Sequence, residues 1–105
     1  MFEALKALMG GKPEERIEDL AAAGALIVDV RSAGEFSSGH IPGSLNVPLD
    51  RVPAELSRHG KDKPIIVCCA SGMRSGMARR MLLAAGHARV ANGGSWQSLG
   101  QRLGA

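Results

Sequence analysis

The sequence "VCCASGMRSGMARR", residues 67–80, contains the junction on which the fold and the candidate site both depend. It begins inside an apolar run, "PIIVCC" (64–69), which is typical of a strand buried on both faces. A short Gly/Ser-rich turn follows, and the next segment has the composition of a helix. The only two cysteines of the chain are adjacent where the strand meets the turn. This junction is therefore the first candidate for a reactive site.

The rest of the chain alternates apolar runs with segments of helical composition. The candidate strands are 25–30, 45–48, 63–69 and 88–94. The candidate helices are 13–24, one turn near 35–36, 50 or 53 to 58, 75–86 and 95–104. This alternation predicts an α/β fold with a mostly parallel central sheet of four to five strands and helices on both faces. We divide the chain into an N-terminal helical appendage, residues 1–12, and one domain, residues 13–105.

Length, cysteine usage and hydropathy narrow the class of protein. With 105 residues the chain has room for one hydrophobic core. Two adjacent cysteines cannot cross-link distant parts of a fold, so we expect reduced thiols and a cytoplasmic location. No apolar run approaches the roughly 18 residues needed to span a bilayer. No spacing of His, Cys or Asp suggests a metal site, and we expect no cofactor.

Charge is divided unevenly along the chain, although the net charge is only +3. Every Asp and Glu lies at or before Asp62, whereas residues 63–105 carry six Lys and Arg side chains and no carboxylate. This division predicts a positive field that favours small anions and a thiolate near the cysteines. The chain has three aromatic residues and no Tyr, so it lacks base-stacking platforms and we expect no nucleic-acid partner.

The position of Cys69 favours a nucleophile. Open parallel sheets bind ligands beyond the carboxyl ends of their strands, and Cys69 lies at such an end. The small residues after it, with Gly72, let backbone N–H groups turn inward, and the following helix adds its N-terminal partial charge. Arg74 adds a permanent positive charge. We expect these groups to lower the pKa of the Cys69 thiol and to stabilise the attacking thiolate.

Cys68 is expected to have a different role, because neighbouring side chains on a strand point to opposite faces. If Cys69 faces the loop, Cys68 faces the core, where a thiol packs as a small apolar group. We therefore expect the pKa of Cys69 to be below that of Cys68. The alternative is that Cys68 resolves a disulfide or protects Cys69 from over-oxidation.

Two longer stretches resemble the rhodanese domain family: "VDVRSAGEFSSGHIPGSLNVPL" (28–49) and "IIVCCASGMRSGMARRMLLAAGHARVANGG" (65–94). The resemblance implies a thiosulfate sulfurtransferase in which Cys69 becomes a persulfide. The donor would be thiosulfate or a similar small anion, and the acceptor cyanide, a low-molecular-weight thiol or a protein thiol. The motif Cys-x-x-Gly-x-Arg-Ser defines the loop that would hold the persulfide: Ala70, Ser71, Gly72, Met73, Arg74 and Ser75.

The resemblance also assigns roles to residues around the loop. Asp29 would support the loop through Arg74 or backbone amides, and Arg31 would face the anionic donor. The alternative is that Asp29 and Arg31 form a structural ion pair. We interpret His40 as a residue that orders its own turn, and His59 and His87 as exposed helix ends.

Three rival functions remain open from sequence. Cysteine-dependent phosphatases of similar fold use Cys-x5-Arg, whereas four residues separate Cys69 from Arg74, and the smaller ring disfavours phosphate. A sulfur-relay or interaction module, loaded by a protein partner, would use the same cysteine, with Met73 facing the acceptor. A non-catalytic domain would not need Cys69 and Arg74. We expect a monomer or a weak dimer.

Overall fold

The structure, a computed structural model, describes residues 14–105. Four strands form one parallel sheet in the order β2-β1-β3-β4: β1 (Leu26–Asp29), β2 (Leu45–Asn46), β3 (Ile65–Cys69) and β4 (Val90–Ser95). The helices are α1 (Ile17–Ala22), α2 (Ala33–Ser37), α3 (Val52–Leu56), α4 (Met73–Ala84) and α5 (Trp96–Leu103), with a 3-10 turn at Leu49–Arg51. The α/β class and the parallel sheet are confirmed. The expected appendage, residues 1–12, lies outside the described residues, and the domain division stays a prediction.

Strand β3 separates two hydrophobic clusters, one on each face of the sheet. Ile65, Val67 and Cys69 belong to the cluster under α3 and α4, which we call the α3–α4 face. Ile66 and Cys68 belong to the cluster under α1 and α5, the α1–α5 face. All five residues of β3 are buried, as expected for a central strand of a parallel sheet covered on both sides. In residues 14–105 no helix is long and apolar enough to cross a membrane.

Helix α1 begins later than the sequence predicts. The residue before it, Arg16, is extended, and Glu14 and Glu15 precede the helix. The Glu14 carboxylate accepts a hydrogen bond from the backbone N–H of Asn92 at 2.6 Å, and Glu15 pairs with Arg89 at 3.0 Å. Strand β4 is an edge of the described sheet, and Glu14 provides a partner to its outer side, whereas Glu15 binds a residue just before the strand; neither opens a helix.

A bulge in β4 shifts the register next to the cysteines. Val67 pairs with Asn92, but the next residue of β3, Cys68, pairs with Gly94, so Gly93 is the extra residue. A Cβ added to Gly93 would lie 2.8 Å from Leu99 Cδ2 and 3.0 Å from Ile66 Cγ2. The bulge therefore requires glycine, and Asn92 stays on the face that holds Val67 and Cys69.

We expect Gly93→Ala to lower the free energy of unfolding by about 1 to 3 kcal/mol, because the new methyl group overlaps two packed side chains. Chemical denaturation would measure the change. The matched control is Gly34→Ala, since a Cβ at Gly34 meets nothing within 4 Å. If Gly93→Ala is no less stable than Gly34→Ala, this account of the bulge is wrong.

The prediction that His87 is exposed is wrong, because the side chain is 2% exposed. After Gly86 the chain turns inward, and the backbone N–H of His87 donates to the carbonyl of Leu82 at 3.0 Å. In the described part of the chain neither ring nitrogen of His87 has a hydrogen-bond partner. Burial lowers the pKa of His87, and the nearby charges of Lys61 and His59 lower it further.

This burial predicts acid destabilisation. Below the ordinary histidine pKa of 6.5 the unfolded chain protonates His87, whereas the folded protein keeps it neutral, so stability falls with falling pH. We expect His87→Leu to show a weaker loss of unfolding free energy between about pH 7.5 and about pH 5. Urea unfolding of both proteins across that range would test this. Parallel pH profiles for the two proteins would contradict it.

Candidate active site

Cys69 ends β3 and faces the loop that leads into α4. Its sulfur accepts hydrogen bonds from the backbone N–H of Gly72 at 3.0 Å and of Ser75 at 3.4 Å. The Ser75 hydroxyl lies 3.3 Å from the same sulfur. Cys69 and Ser75 are fully buried, whereas Ala70 and Ser71 are exposed. The loop therefore surrounds the sulfur with N–H donors of the kind that bind anions.

Gly72 allows the loop to make this turn. Its φ of +100° lies in the left-handed region, which L side chains rarely adopt. A Cβ on Gly72 would also lie 3.3 Å from the Cα of Gly94, so the loop packs backbone to backbone against β4. Gly72 is the residue before α4, and the turn therefore aims the first N–H groups of the helix region at Cys69.

The two cysteines have opposite pKa shifts. Burial raises the pKa of the Cys69 thiol, but hydrogen bonds from Ser75 and the amides of Gly72 and Ser71 outweigh it, and the net shift is downward. Burial raises the pKa of Cys68 to about 12, and the nearby Asp29 carboxylate adds to this rise. These directions agree with the order expected from sequence. They favour the thiolate at Cys69 and the neutral thiol at Cys68.

Arg74 is held by Glu35 in a two-bond ion pair. Its Nη1 and Nη2 lie 2.8 Å and 3.0 Å from the two carboxylate oxygens of Glu35. Glu35 also caps α2, because it exchanges hydrogen bonds with Ser32 in a capping box. The bonds from Arg74 and Ser32 hold the pKa of Glu35 at about 2. Helix α2 therefore fixes the arginine of the cysteine loop, and Glu35 provides a support that we had assigned to Asp29.

Asp29 and Arg31 lie together, on the other side of the sheet from Cys69. Asp29 is the register partner of Cys68, and its carboxylate accepts from Arg31 Nη2 at 2.7 Å and Nε at 2.9 Å. Arg31 also donates to the carbonyl of Gly39 at 2.7 Å and stacks over Trp96 at 4.7 Å. Arg31 is 5% exposed. This placement favours the structural ion pair over contact with a donor.

Asn92 is a site residue that the sequence analysis missed. Its Nδ2 donates to the carbonyl of Gly72 at 3.1 Å, and its Oδ1 accepts from Ser75 Oγ at 2.6 Å and from Gly94 N–H at 2.9 Å. It thereby joins β4 to the middle and to the last residue of the cysteine loop. The amino-acid pattern gives no sign of this role, because its partners Ser75 and Gly72 lie 17 and 20 residues away in the sequence.

Two methionines are exposed beside the loop. Met73 begins α4 and is 78% exposed, and Met77, one turn further on, is 44% exposed. Helix α4 instead buries Ser75, Ala78 and Leu82. The surface next to the loop therefore includes two exposed apolar side chains.

The positive field expected from residues 63–105 is reduced by ion pairs. Several arginines of that segment bind carboxylates from the first part of the chain: Arg74 with Glu35, Arg79 with Glu14, Arg89 with Glu15 and Arg102 with Glu18. Charges that are separated along the sequence are therefore paired in the folded protein. The groups that contact the Cys69 sulfur are the loop N–H donors and not a broad basic face.

His40 follows α2 and contacts Phe36 of that helix. His40 Nδ1 lies 2.8 Å from the carbonyl of Phe36, and the two rings stack at 3.7 Å. This arrangement is consistent with ordering of the turn.

Among residues 14–105 no group of three or more His, Cys, Asp or Glu side chains could hold a metal ion.

Comparison with known proteins supports the resemblance seen in the sequence. The family model described as the rhodanese-like domain matches residues 12–98. The chain therefore belongs to the rhodanese-like domain family. A rhodanese with anions from E. coli has a similar structure, with a TM-score of 0.67 and 28% identity, covering 70% of this chain and 89% of that one.

Two curated relatives are sulfurtransferases by name. A sulfurtransferase of Allochromatium vinosum is 37% identical over 67 residues, which cover 64% of this chain and 63% of the relative. The thiosulfate sulfurtransferase GlpE of Pseudomonas savastanoi pv. phaseolicola is 35% identical over 78 residues, 74% of each protein. The chain thus spans less than two thirds of the first relative and about three quarters of the second.

We expect Glu35→Gln to lower the melting temperature slightly at neutral pH, because Arg74 loses its charged partner at an exposed site. The ion pair contributes fully above the ordinary glutamate pKa of 4.5 and is lost as pH falls through about 2. The difference in melting temperature between the two proteins should therefore shrink across that window. Thermal unfolding by circular dichroism would measure it. A difference that does not change with pH would contradict the assignment.

Proposed function

We propose that this protein is a rhodanese-type sulfurtransferase in which Cys69 carries sulfane sulfur as a persulfide. The observation that supports this most directly is that the backbone amides of Gly72 and Ser75 both donate to the Cys69 sulfur. Such donors stabilise the Cys69 thiolate before the attack and the negatively charged persulfide after it. Membership of the family and the similarity to named sulfurtransferases support the same reaction class.

The proposed reaction has two displacements at sulfur. The Cys69 thiolate attacks the outer sulfur of thiosulfate, a new S–S bond forms, and sulfite leaves with the electron pair of the broken S–S bond. An acceptor, either cyanide or a thiolate, then attacks the outer sulfur of the persulfide. Cys69 leaves as a thiolate, and the product is thiocyanate or the acceptor persulfide. No net proton or electron is required beyond those the reactants carry.

Residues of the loop divide the work in this scheme. The N–H groups from Ala70 to Ser75 bind the charged persulfide sulfur, and Arg74, fixed by Glu35, keeps a positive charge beside the ring. Cys69 is fully buried, whereas Ala70 and Ser71 of the same loop are exposed, so we propose that the donor approaches from the side of these two residues. A ring with four residues between Cys69 and Arg74 suits one sulfur atom better than a tetrahedral phosphate.

Mass spectrometry of the intact, reduced protein before and after thiosulfate tests the proposal. We expect a gain of one sulfur atom in the wild type and in Cys68→Ser, and no gain in Cys69→Ser. Cys68→Ser is the matched control, because it replaces the neighbouring thiol on the opposite face. If Cys69→Ser still gains sulfur, Cys69 is not the carrier. If the wild type gains none, thiosulfate is not the donor.

A second candidate function is a sulfur relay loaded by a protein partner. The exposure of Met73 and Met77 beside the loop favours it, because an apolar surface suits a protein more than a small anion. Steady-state kinetics separate the candidates. Saturation at low thiosulfate concentration would support the enzyme, whereas loading that saturates only with a persulfidated protein would support the relay.

The same reasoning applies to the substrates, partners and location of the protein. We propose a small anionic sulfur donor, a thiol acceptor that includes protein thiols, no cofactor and no nucleic-acid partner. A cytoplasmic location and a monomer or weak dimer remain predictions from the sequence.

A further inference from the structure

The side-chain amide of Asn92 has one consistent orientation. Its Nδ2 lies 3.1 Å from the carbonyl oxygen of Gly72, which can only accept, and its Oδ1 lies 2.9 Å from the N–H of Gly94, which can only donate. Rotating the amide by half a turn would place oxygen against oxygen and N–H against N–H. Oδ1 is therefore an acceptor toward its third neighbour, the Ser75 hydroxyl.

This orientation decides where the proton of Ser75 lies. A serine hydroxyl has one proton, and the distance from Ser75 Oγ to Asn92 Oδ1 is 2.6 Å. The proton points to Asn92, so the hydroxyl presents a lone pair to the Cys69 sulfur 3.3 Å away. The contact between Cys69 and Ser75 is then made by the thiol proton, and a directed chain runs from Cys69 through Ser75 to Asn92.

Ionisation of Cys69 reverses the first bond of this chain. A thiolate has no proton to donate and requires donors instead. The amides of Gly72 and Ser75 already point to the sulfur. The Ser75 hydroxyl can join them only by rotating its proton away from Asn92. Asn92 Oδ1 then still accepts the hydrogen bond from the N–H of Gly94. The thiolate and Asn92 therefore compete for the same proton.

This inference rests on the proposed role of Cys69 as the nucleophile. We propose that Asn92 is a positioning residue for that reaction: by holding the Ser75 proton away from Cys69, it sets how readily the thiol ionises. Asn92 has no contact with the reacting sulfur among the described hydrogen bonds and acts on it through the Ser75 hydroxyl.

The charged groups near Cys69 and Asn92 are separate from the hydrogen bonds that link Cys69, Ser75 and Asn92. They come from each packed element: Arg74 of α4 with Glu35 of α2, Asp29 of β1 with the adjacent Arg31, and Glu14 with Arg79 of α4. Glu14 binds the backbone N–H of Asn92 and not its side chain. A change confined to the Asn92 side chain leaves all three pairs in place, so its effect on Cys69 does not arise from them. Comparison with the Ser75→Ala background then identifies the part of the effect that passes through Ser75.

The test is the pH dependence of iodoacetamide alkylation of Cys69, without any sulfur donor and in a Cys68→Ala background. We expect Asn92→Ala to lower the pKa of Cys69, because Ser75 becomes free to donate to the thiolate. A shift of roughly half to one unit would make alkylation about three- to tenfold faster at pH values below both pKa values. In a Ser75→Ala background the same substitution should give no acceleration.

A merely structural role for Asn92 predicts the opposite sign. If Asn92 only holds the loop, its loss loosens the amides around the sulfur and raises the pKa. A pKa of Asn92→Ala at or above the wild-type value, or an equal acceleration without Ser75, would therefore overturn the proposal.

Asn92→Asp is the second variant, used if circular dichroism shows that Asn92→Ala does not fold. The carboxylate adds a negative charge and holds the Ser75 proton more strongly, so the pKa of Cys69 should rise. The rise should be smaller in the Ser75→Ala background, and an equal rise in both backgrounds would count against the proposal. Alkylation needs no sulfur donor, so failure of sulfur loading would refute the proposed function without deciding the role of Asn92.

Discussion

Strand β3 lies between β1 and β4, and its alternating side chains separate the two cysteines. Because consecutive residues of a strand point to opposite faces, Cys68 packs under α1 and α5 while Cys69 faces α4 and its loop. The two thiols are adjacent in sequence, but one packs in a hydrophobic cluster and the other faces N–H donors. The opposite pKa shifts of the two cysteines follow from this single geometric constraint.

The loop that follows Cys69 is supported by two neighbouring elements, β4 and α2. Asn92 of β4 binds the carbonyl of Gly72 and the hydroxyl of Ser75, and Glu35 of α2 binds Arg74. The backbone of Gly94 packs directly on that of Gly72. Donors that are held in place before the reaction stabilise charge without reorganising, so this support is part of the proposed chemistry.

The sequence predicts what depends on local pattern. Buried strands, the parallel sheet, the turn after Cys69 and the opposite facing of Cys68 all follow from periodicity and chain direction. The contacts that depend on tertiary packing do not. Glu35 binds Arg74 across 39 residues of chain, and Asn92 binds Ser75 across 17. The capping box of Ser32 and Glu35 was readable as a helix start, but it does not identify the partner on the far side of the site.

The same limit explains the errors. His87 follows a helix-ending glycine, a position that favours exposure, yet the turn at Gly86 returns it to the interior. Glu14 and Glu15 fit the first turn of a helix by composition, yet Glu14 binds the edge strand β4 and Glu15 binds Arg89 just before it. In each case a contact distant in sequence outweighs a local preference.

Competitive alkylation of the folded wild type tests the central claim most directly, namely that the fold makes one of two adjacent thiols reactive. The protein would be treated with limiting iodoacetamide near neutral pH, and tandem mass spectrometry would locate the label. The account predicts label on Cys69 with Cys68 unmodified until the protein is unfolded. Equal labelling of the two cysteines in the folded protein, or faster labelling of Cys68, would contradict it.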